Sequence, residues 1–434
     1  MGSGLFALLL RTLTWWQAAA AAVTALAFNI IALPLIGGRR LYRPVDEARG
    51  FPLGILLYPL SVLLLILIFP NRLDIVAAAW AILAFGDGMA TLVGQRLAAR
   101  GANAPLSWNR DKTIGGTAAF IVFGGAAAVA LELWTRPAVV PPPPLTFAIA
   151  APIAAAIVAA FIETIPSRLD DNISVPAGAG AVLWIASLVD AGALHASRAA
   201  IAAHLPWAIG VNAIVSYLGY RARTVSMSGT IGGAIVGTII FTAGGWRAWL
   251  MLFVTFAIAS MASRSGLKRK VLLGIAEERG GRRGAGNAIA NCGVATIAAL
   301  VAVTSVHSMA AWLAFVAALT AGGSDTVASE IGKAWGRSTF LITTWSRVRP
   351  GTPGAMSLEG TAAGIVAALG LASVGVALGL TVSGAVIAIV IGATVGALVE
   401  SALGATLEGP GILNNDMLNF INTAVAAAVT LALA

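Results

Sequence analysis

Four acidic residues occupy positions where a carboxylate is costly. Asp87, Glu163, Asp325 and Glu400 lie inside or at the edge of long apolar stretches of the chain. An ionisable residue within such a stretch indicates a functional site by default. Carboxylate oxygens bind hard cations such as Mg²⁺, which proteins usually hold with one or two carboxylates together with substrate phosphates. These four residues are therefore candidate catalytic groups or metal ligands.

The four acids belong to a pattern that occurs twice in the chain. Its matched members, separated by 237 to 244 residues, are Asp87 and Asp325, Gly116-Thr117-Ala118-Ala119 and Gly360-Thr361-Ala362-Ala363, Glu163 and Glu400, and Asn172 and Asn415. All four pairs follow the same order along the sequence. This order predicts a parallel internal duplication of a six-helix unit, unlike the inverted repeats of many transporters.

Each copy contains the groups of a metal and nucleotide site. The candidate Mg²⁺ ligands are Asp87, Asp170, Asp171 and Asn172 in the first copy, and Asp325, Asn414, Asn415 and Asp416 in the second. Glu163 and Glu400 are candidates either for metal ligands or for the base that removes a proton from the acceptor. The pattern leaves these two roles open.

Basic residues and glycine-rich helix starts accompany both acid sets. Lys112 and Arg110 in the first copy, and Lys333, Arg337 and Arg347 in the second, have the charge that phosphate requires. The helix starts at 114–117 and 358–361 offer free backbone N–H groups to an anion. Gly332-Lys333-Ala334 lacks the remaining residues of a Walker A motif, so P-loop chemistry is not expected.

The composition identifies the kind of protein that must position these groups. The chain has 434 residues, of which 59% are hydrophobic and only 10% charged, with a mean hydropathy of +0.90. These values indicate a polytopic membrane protein of the all-α class. A single cysteine, Cys292, excludes a disulfide framework, and three scattered histidines give no zinc-site spacing. We expect no nucleic-acid partner, because the net charge of +9 is explained by orientation in the bilayer.

About fourteen apolar windows are long enough to span a bilayer as helices. They are 13–36, 51–69, 73–94, 114–134, 146–164, 175–195, 201–219, 229–244, 246–262, 287–305, 308–332, 358–378, 382–403 and 416–434. When the loops between these windows are assigned alternately to the two sides of the membrane, 22 of the 27 basic residues fall on one side. That side is therefore predicted to be cytoplasmic. Of the 18 acids, all but Asp74, Glu132 and Asp190 lie on that side or at the helix ends that meet it. We expect both candidate sites to face the cytoplasm, both termini to lie outside, and the membrane to be the inner one in a bacterium.

The first half resembles the phytol kinase and dolichol kinase family, whose members are CTP-dependent polyprenol kinases. The resemblance rests on the segments Ala84–Gly94, Ser107–Thr117, Phe161–Glu163 and Arg168–Asn172. It implies that Asn109, Thr113, Gly116 and Thr117 bind the nucleotide. It also implies phosphorylation of an isoprenoid alcohol such as phytol, with CTP as the donor.

The second half resembles the membrane family that contains plant phytyl-phosphate kinase. The matching segments are 278–287, Gly323–Gly332, 350–361, Glu400–Leu407 and Asn419–Thr423. The resemblance adds Glu330 to the catalytic candidates, and Glu359, Gly360 and Thr361 to the phosphate-binding ones. Together the two halves imply successive phosphorylation of an isoprenoid alcohol to its monophosphate and diphosphate.

The predicted organisation is a first domain over 1–198 and a second over 199–434. Two other functions compete with the kinase. A transporter of an anionic or lipid-linked substrate would explain the duplication, but it predicts acids near the midplane and on both sides. A cytidylyltransferase that forms a CDP-lipid and releases pyrophosphate is the alternative enzyme.

Overall fold

The computed structural model describes residues 2–36, 51–275 and 283–434. The described chain is predominantly helical, and eleven of its helices are long and apolar enough to cross a membrane. This confirms the all-α membrane class, while the exact number of fourteen spans stays a prediction. Glu278, Arg279 and Gly280 of the second family motif, and the basic residues between Arg39 and Arg49, lie outside the described residues.

Two compact units divide the chain between Ser187 and Leu188. The division falls eleven residues before the predicted boundary at 198. Helix α7, which begins at Ala191, belongs to the second unit because it packs against the helices that follow it.

The described residues of unit 1 form six helices after a 3₁₀ helix at Gly2–Arg11. They are α1 (Trp15–Leu35), α2 (Leu53–Ile68), α3 (Leu73–Ala99), α4 (Ile114–Ala138), α5 (Leu145–Glu163) and α6 (Asp171–Ser187). Helix α3 is central, since nearly every residue from 74 to 86 is buried. Asp87 follows directly after this buried run.

Helices α3 and α4 approach each other at two π-helical turns, Ile82–Asp87 and Phe120–Gly124. A Cβ atom on Gly124 would lie 3.1 Å from the Cα of Gly86, so a larger residue would require the two helices to move slightly apart. A π turn rotates the residues that follow it around the helix and is frequent at functional sites. Here it ends on Asp87.

In unit 2, residues 188–275 and 283–434 form eight long helices and a small sheet. The helices are α7 (Ala191–Arg221), α8 (227–244), α9 (246–264), α10 (Ala285–Thr304), α11 (Ser308–Trp335), α12 (Leu358–Ala377), α13 (Ser383–Glu408) and α14 (Asn415–Leu433), with a short helix at Leu267–Leu272. Helix α11 is central, because residues 314–324 are buried all round, and Asp325 follows this run. Each candidate aspartate therefore ends the buried part of its unit's central helix.

Helices α8 and α9 form a continuous helical segment, Met227–Arg264, that is interrupted at Gly245. Gly245 has φ 63° and ψ −159°, a backbone conformation that favours glycine. Both ends of the segment contact Arg283: the Ser226 N–H donates to its carbonyl, and its guanidinium donates to Ser263 Oγ. The chain therefore doubles back at Gly245, as the two predicted windows on either side of this residue require.

A three-stranded antiparallel sheet connects α11 to α12, a feature absent from the purely helical expectation. Its strands are β1 (Thr339–Leu341), β2 (Arg347–Val348) and β3 (Ala355–Ser357), in the order β2-β1-β3. Thr339 pairs with both Ser357 and Val348. The sheet holds β3 directly before the glycine-rich start of α12.

Candidate functional site

Three carboxylates converge in unit 1. Asp87 lies at the end of the π turn of α3, Glu163 is the last residue of α5, and Asp171 is the first of α6. One ligand atom from each lies within 4.8 Å of the others, which is close enough to surround a cation. Glu163, which the sequence predicts to be either a metal ligand or a base, is therefore part of the same cluster as Asp87.

Lys112 is the positive charge of this cluster. Its Nζ atom donates to Glu163 Oε1 at 2.7 Å and to Asp171 Oδ2 at 3.0 Å. Burial alone would lower the pKa of Lys112, but hydrogen bonds and charge from Glu163, followed by Asp171, outweigh it and raise the pKa. The lysine thus stays protonated and pairs with two of the three acids.

Other predicted residues of unit 1 make contacts of their own outside the three-acid cluster. Asp170 Oδ1 accepts hydrogen bonds from the backbone and side chain of Asn172, so these two pair with each other. Asn109 donates to the carbonyl of Thr164 at 3.1 Å, and Arg110 is exposed. The proposed metal set of four is thereby divided into Asp87 and Asp171 in the cluster and a separate Asp170–Asn172 pair.

The start of α4 is built as an N-cap. Thr113 Oγ1 accepts from the Gly116 N–H at 3.3 Å, and Thr117 Oγ1 donates to the Thr113 carbonyl. Asn103, which the sequence analysis missed, fixes the preceding loop: it donates to Gly94 O and accepts from Gly115 N. Its signal is weak in the sequence because both partners are backbone atoms.

Unit 2 encloses a polar cavity of about 670 Å³. Seven predicted site residues line it: Asp325, Lys333, Gly360, Thr361, Glu400, Asn415 and Asp416. They come from α11, α12, α13 and α14, which are far apart in sequence. The cavity therefore collects carboxylates, one lysine and a helix start, the groups that the sequence assigned to one site.

The acids of the cavity interact through their charges. Glu400 interacts electrostatically with Asp325, Glu408 and Lys333, and it accepts a 2.8 Å hydrogen bond from Asn422 Nδ2. Glu408, which also lines the cavity, and Asn422 were not predicted. Glu408 ends a π turn, Gly404–Glu408, and no sequence pattern indicated that turn.

Asparagines on two helices add neutral oxygen ligands and donors. Asn287 and Asn291 on α10, and Asn415 and Asn419 on α14, all line the cavity. Each pair is spaced by four residues, which places both side chains on one helix face. This spacing within apolar helices could have indicated three site residues that were not predicted: Asn287, Asn291 and Asn419. Two of them, Asn287 and Asn419, also lie in the segments that match the second family.

Close backbone approach shapes the cavity wall. Ser357 Oγ caps α12 by accepting from the Gly360 N–H at 3.1 Å. Gly354, at φ 70°, packs against the backbone of Ser401 and Ala405, and a Cβ atom on Gly286 would collide with the Asp416 carboxylate. The glycines therefore allow the loop before α12 and the start of α10 to close around the acids.

Five predicted residues of the second site are not among the described residues that line the cavity. Glu330 is buried and forms ion pairs with Lys270 and Lys333. Arg337 and Arg347 are exposed, Arg347 lying over the Phe340 ring. Glu359 Oε1 accepts from the backbone of Arg337, and Asn414 caps α14 by accepting from Met417 N.

Comparison with known sequences agrees with the architecture of unit 2. The family model described as integral membrane protein DUF92 matches residues 210–427, half of the chain. The chain belongs to this DUF92 family. The matched residues include every candidate cavity residue from Asp325 to Asp416, and they lie entirely within unit 2.

Relatives occur in bacteria, plants and archaea. A membrane protein of Synechocystis is 41% identical over 200 residues, which cover 45% of this chain and 78% of the relative. Protein VTE6 of the Arabidopsis thaliana chloroplast is 35% identical over 233 residues, covering 52% and 70%. A membrane protein of Methanocaldococcus jannaschii is 29% identical over 209 residues, covering 48% and 85%. No solved structure matches the chain.

Proposed function

We propose that this DUF92 protein is a membrane phosphotransferase that converts an isoprenyl monophosphate into the diphosphate in the cavity of unit 2. The supporting observation is that Asp325, Glu400, Asp416 and Lys333 line one cavity with the start of α12. The likeness of the second half to the family that contains phytyl-phosphate kinase supports the choice of acceptor. The likeness of the first half to the CTP-dependent polyprenol kinases favours CTP as the donor.

The oxygen-rich lining fits a hard divalent cation. Carboxylates and amides are the ligand types that Mg²⁺ prefers, and the cavity offers both. Asp325, Glu400 and Asp416, with Asn415, would hold the ion together with the substrate phosphates. Among the described residues, only acids of unit 1 form a group of three within 4.8 Å of one another, so the unit 2 site depends more on the phosphates. When bound, Mg²⁺ neutralises charge on the transferring phosphoryl group.

The protein groups position the two phosphates for direct transfer. An oxygen of the monophosphate bonds to the γ-phosphorus of CTP, the bond from that phosphorus to the bridging oxygen breaks, and CDP leaves. Lys333 and the N–H groups at Gly360 and Thr361 would bind the phosphate oxygens. Glu330 does not line the cavity, and instead holds Lys333 by an ion pair of 3.2 Å.

We propose the first phosphorylation, of the isoprenoid alcohol, for unit 1. Asp87, Glu163 and Asp171 form its candidate Mg²⁺ set, and Lys112 its phosphate-binding charge. A carboxylate here would also act as the base, since the hydroxyl proton of the alcohol must leave as the new O–P bond forms. Glu163 is the candidate, and its bond to Lys112 keeps it close to the phosphate site.

The proposed enzyme is tested with purified protein in detergent, Mg²⁺ and γ-labelled CTP. Phytyl and geranylgeranyl monophosphates should become labelled diphosphates, and the corresponding alcohols labelled monophosphates. Replacing CTP by ATP or GTP measures the donor preference. Absence of labelled product from every alcohol and monophosphate would refute the kinase, and release of pyrophosphate with a CDP-lipid would favour the cytidylyltransferase.

We further propose that both sites face the cytoplasm, where nucleotide is available. Arg110 and Arg347 are exposed and suit cysteine reporters. In a Cys292→Ser background, cysteines at these two positions should react with a membrane-impermeant maleimide only from the cytoplasmic side, and one at Pro142 only from outside. Labelling of Arg110 and Arg347 positions from opposite sides would exclude the parallel duplication.

A further inference from the structure

A second cavity adjoins the polar cavity of unit 2. It has a volume of about 140 Å³ and is lined mainly by apolar side chains of α7, α8 and α9, among them Val215, Val236, Leu252 and Phe256. The two cavities share four lining residues: Arg283, Gly284, Asn287 and Asn291. These residues form a polar rim where the apolar and polar cavities meet.

Four polar side chains deeper in the second cavity are paired within the protein. The Trp249 indole donates to Asn212 Oδ1 at 3.0 Å, and Asn212 Nδ2 donates to the carbonyl of Ala208. The hydroxyls of Thr230 and Thr255 donate to carbonyls of their own helices. The cavity therefore presents a mainly apolar surface to an occupant, and the polar side chains of Arg283, Asn287 and Asn291 lie at its rim.

One residue of the second cavity is also exposed at the outer surface of the helices. Phe253 lines it and is 40% exposed, and its ring stacks on Trp249 with centroids 5.2 Å apart. An amphipathic molecule could thus enter from the bilayer past Phe253 and place its polar end at the rim. The small volume fits one chain better than two.

We propose that the second cavity binds a single-chain lipid phosphate by the part of its apolar chain that adjoins the phosphate. The phosphate itself lies at the rim with Arg283, Asn287 and Asn291. This inference rests on the proposed function, which supplies an isoprenyl monophosphate as the acceptor. It adds the site that selects the chain. The residues of α7, α8 and α9 thereby determine which monophosphates are used.

Gly233 offers a precise test because it lines the second cavity and a Cβ atom added there meets no atom within 4 Å. Gly233→Leu should therefore fold and partly fill the cavity. Gly210 on α7 is the matched control, since its Cβ would also meet open space and it lines neither cavity. Both substitutions replace glycine in a helix with a better helix former.

The variants are compared by kcat/KM for geranylgeranyl and dimethylallyl monophosphates. Gly233→Leu should lower the ratio of long-chain to short-chain kcat/KM by about tenfold or more, because small volume changes in an apolar pocket discriminate at this level. Gly210→Leu should leave the ratio unchanged. If Gly233→Leu also leaves it unchanged in an active enzyme, the tail site is wrong and the kinase proposal stands.

A photoreactive geranylgeranyl monophosphate, with a diazirine near the phosphate, tests the site independently of catalysis. Peptides that contain Trp249 or Phe253 should be labelled in wild type and Gly210→Leu, and labelling should fall several-fold in Gly233→Leu. Labelling at these peptides in a protein without kinase activity would refute the proposed function but retain the site. Labelling elsewhere, equal labelling in Gly233→Leu, or displacement by equimolar phosphatidic acid would overturn the tail site.

Discussion

The acid cluster of unit 1 and the cavity of unit 2 use matched positions in different ways. In unit 1, Lys112 lies between Glu163 and Asp171 and forms an ion pair with each. The position that matches Lys112 at the spacing of 244 is Met356, and the lysine of unit 2 is instead Lys333 on the central helix. The acids of unit 1 are therefore paired within the protein, whereas those of unit 2 surround an open cavity.

The helix contacts beneath the two sites are nevertheless alike. A Cβ atom on Gly116 would lie 3.2 Å from Ala90 O, and one on Gly360 would lie 2.5 Å from Ala328 O. Thr113 and Ser357 cap the two helices with equivalent hydrogen bonds. One helix-pair geometry therefore supports two arrangements of positive charge. In the proposed reactions, the acceptor of unit 2 is a phosphate, which carries more negative charge than the alcohol acceptor of unit 1.

The largest expected effect is on chemistry in unit 2. Glu400→Gln keeps the shape of the side chain but removes a charge from the cavity, so diphosphate formation from monophosphate should fall about 10²-fold or more. Alcohol phosphorylation should continue. Thr394→Val, on the same helix but outside the cavity lining, is the control. Equal loss of both activities in Glu400→Gln would show that the sites are not separate.

A smaller effect, on stability, is expected when Lys112 of unit 1 is replaced by methionine, the residue at the matching position 356 of unit 2. Lys112→Met leaves Glu163, which is 4% exposed, and Asp171 without their ammonium partner. Since Lys112 is partly exposed, the loss should be about 1–3 kcal/mol, below that of a fully buried pair. Denaturant unfolding in detergent measures it, with exposed Arg100→Met as the control. A Lys112→Met protein as stable as the control would contradict the pairing.

The smallest effect distinguishes the two helix contacts. Gly360→Ala should destabilise the protein by about 2 kcal/mol and Gly116→Ala by about 1 kcal/mol, because the added methyl group is more crowded at Gly360. Gly370→Ala, where the Cβ meets open space, should be neutral or slightly stabilising. The same unfolding measurement applies. The reverse order of Gly360→Ala and Gly116→Ala would refute this description of the contacts.

The sequence predicted the features that depend on local pattern. Apolar windows placed the helices, including the separate windows on either side of Gly245, and intramembrane acids indicated Asp87, Glu163, Asp325 and Glu400. Doubled motifs also identified the capped helix starts at Gly116 and Gly360. These signals are local because burial, periodicity and capping act over a few residues.

Features that depend on long-range packing were missed. The β1–β3 sheet lies in a polar connection with no strand periodicity, and Glu408 reaches the cavity only through a π turn. The ion pair that holds Glu330 joins it to Lys270, sixty residues earlier. Such contacts follow from how helices pack, so a single sequence could not indicate that Glu330 would face away from the cavity.

The most direct test of two separate sites compares Asp87→Asn with Asp325→Asn in the same assay. Each substitution is nearly isosteric and removes one candidate metal-binding charge. With alcohol, Mg²⁺ and labelled CTP, Asp325→Asn should accumulate labelled monophosphate and make no diphosphate. Asp87→Asn should make no monophosphate from the alcohol, yet still convert supplied monophosphate into diphosphate. Loss of both steps in both folded variants would show one composite site, and retention of both steps would contradict the role of the two aspartates.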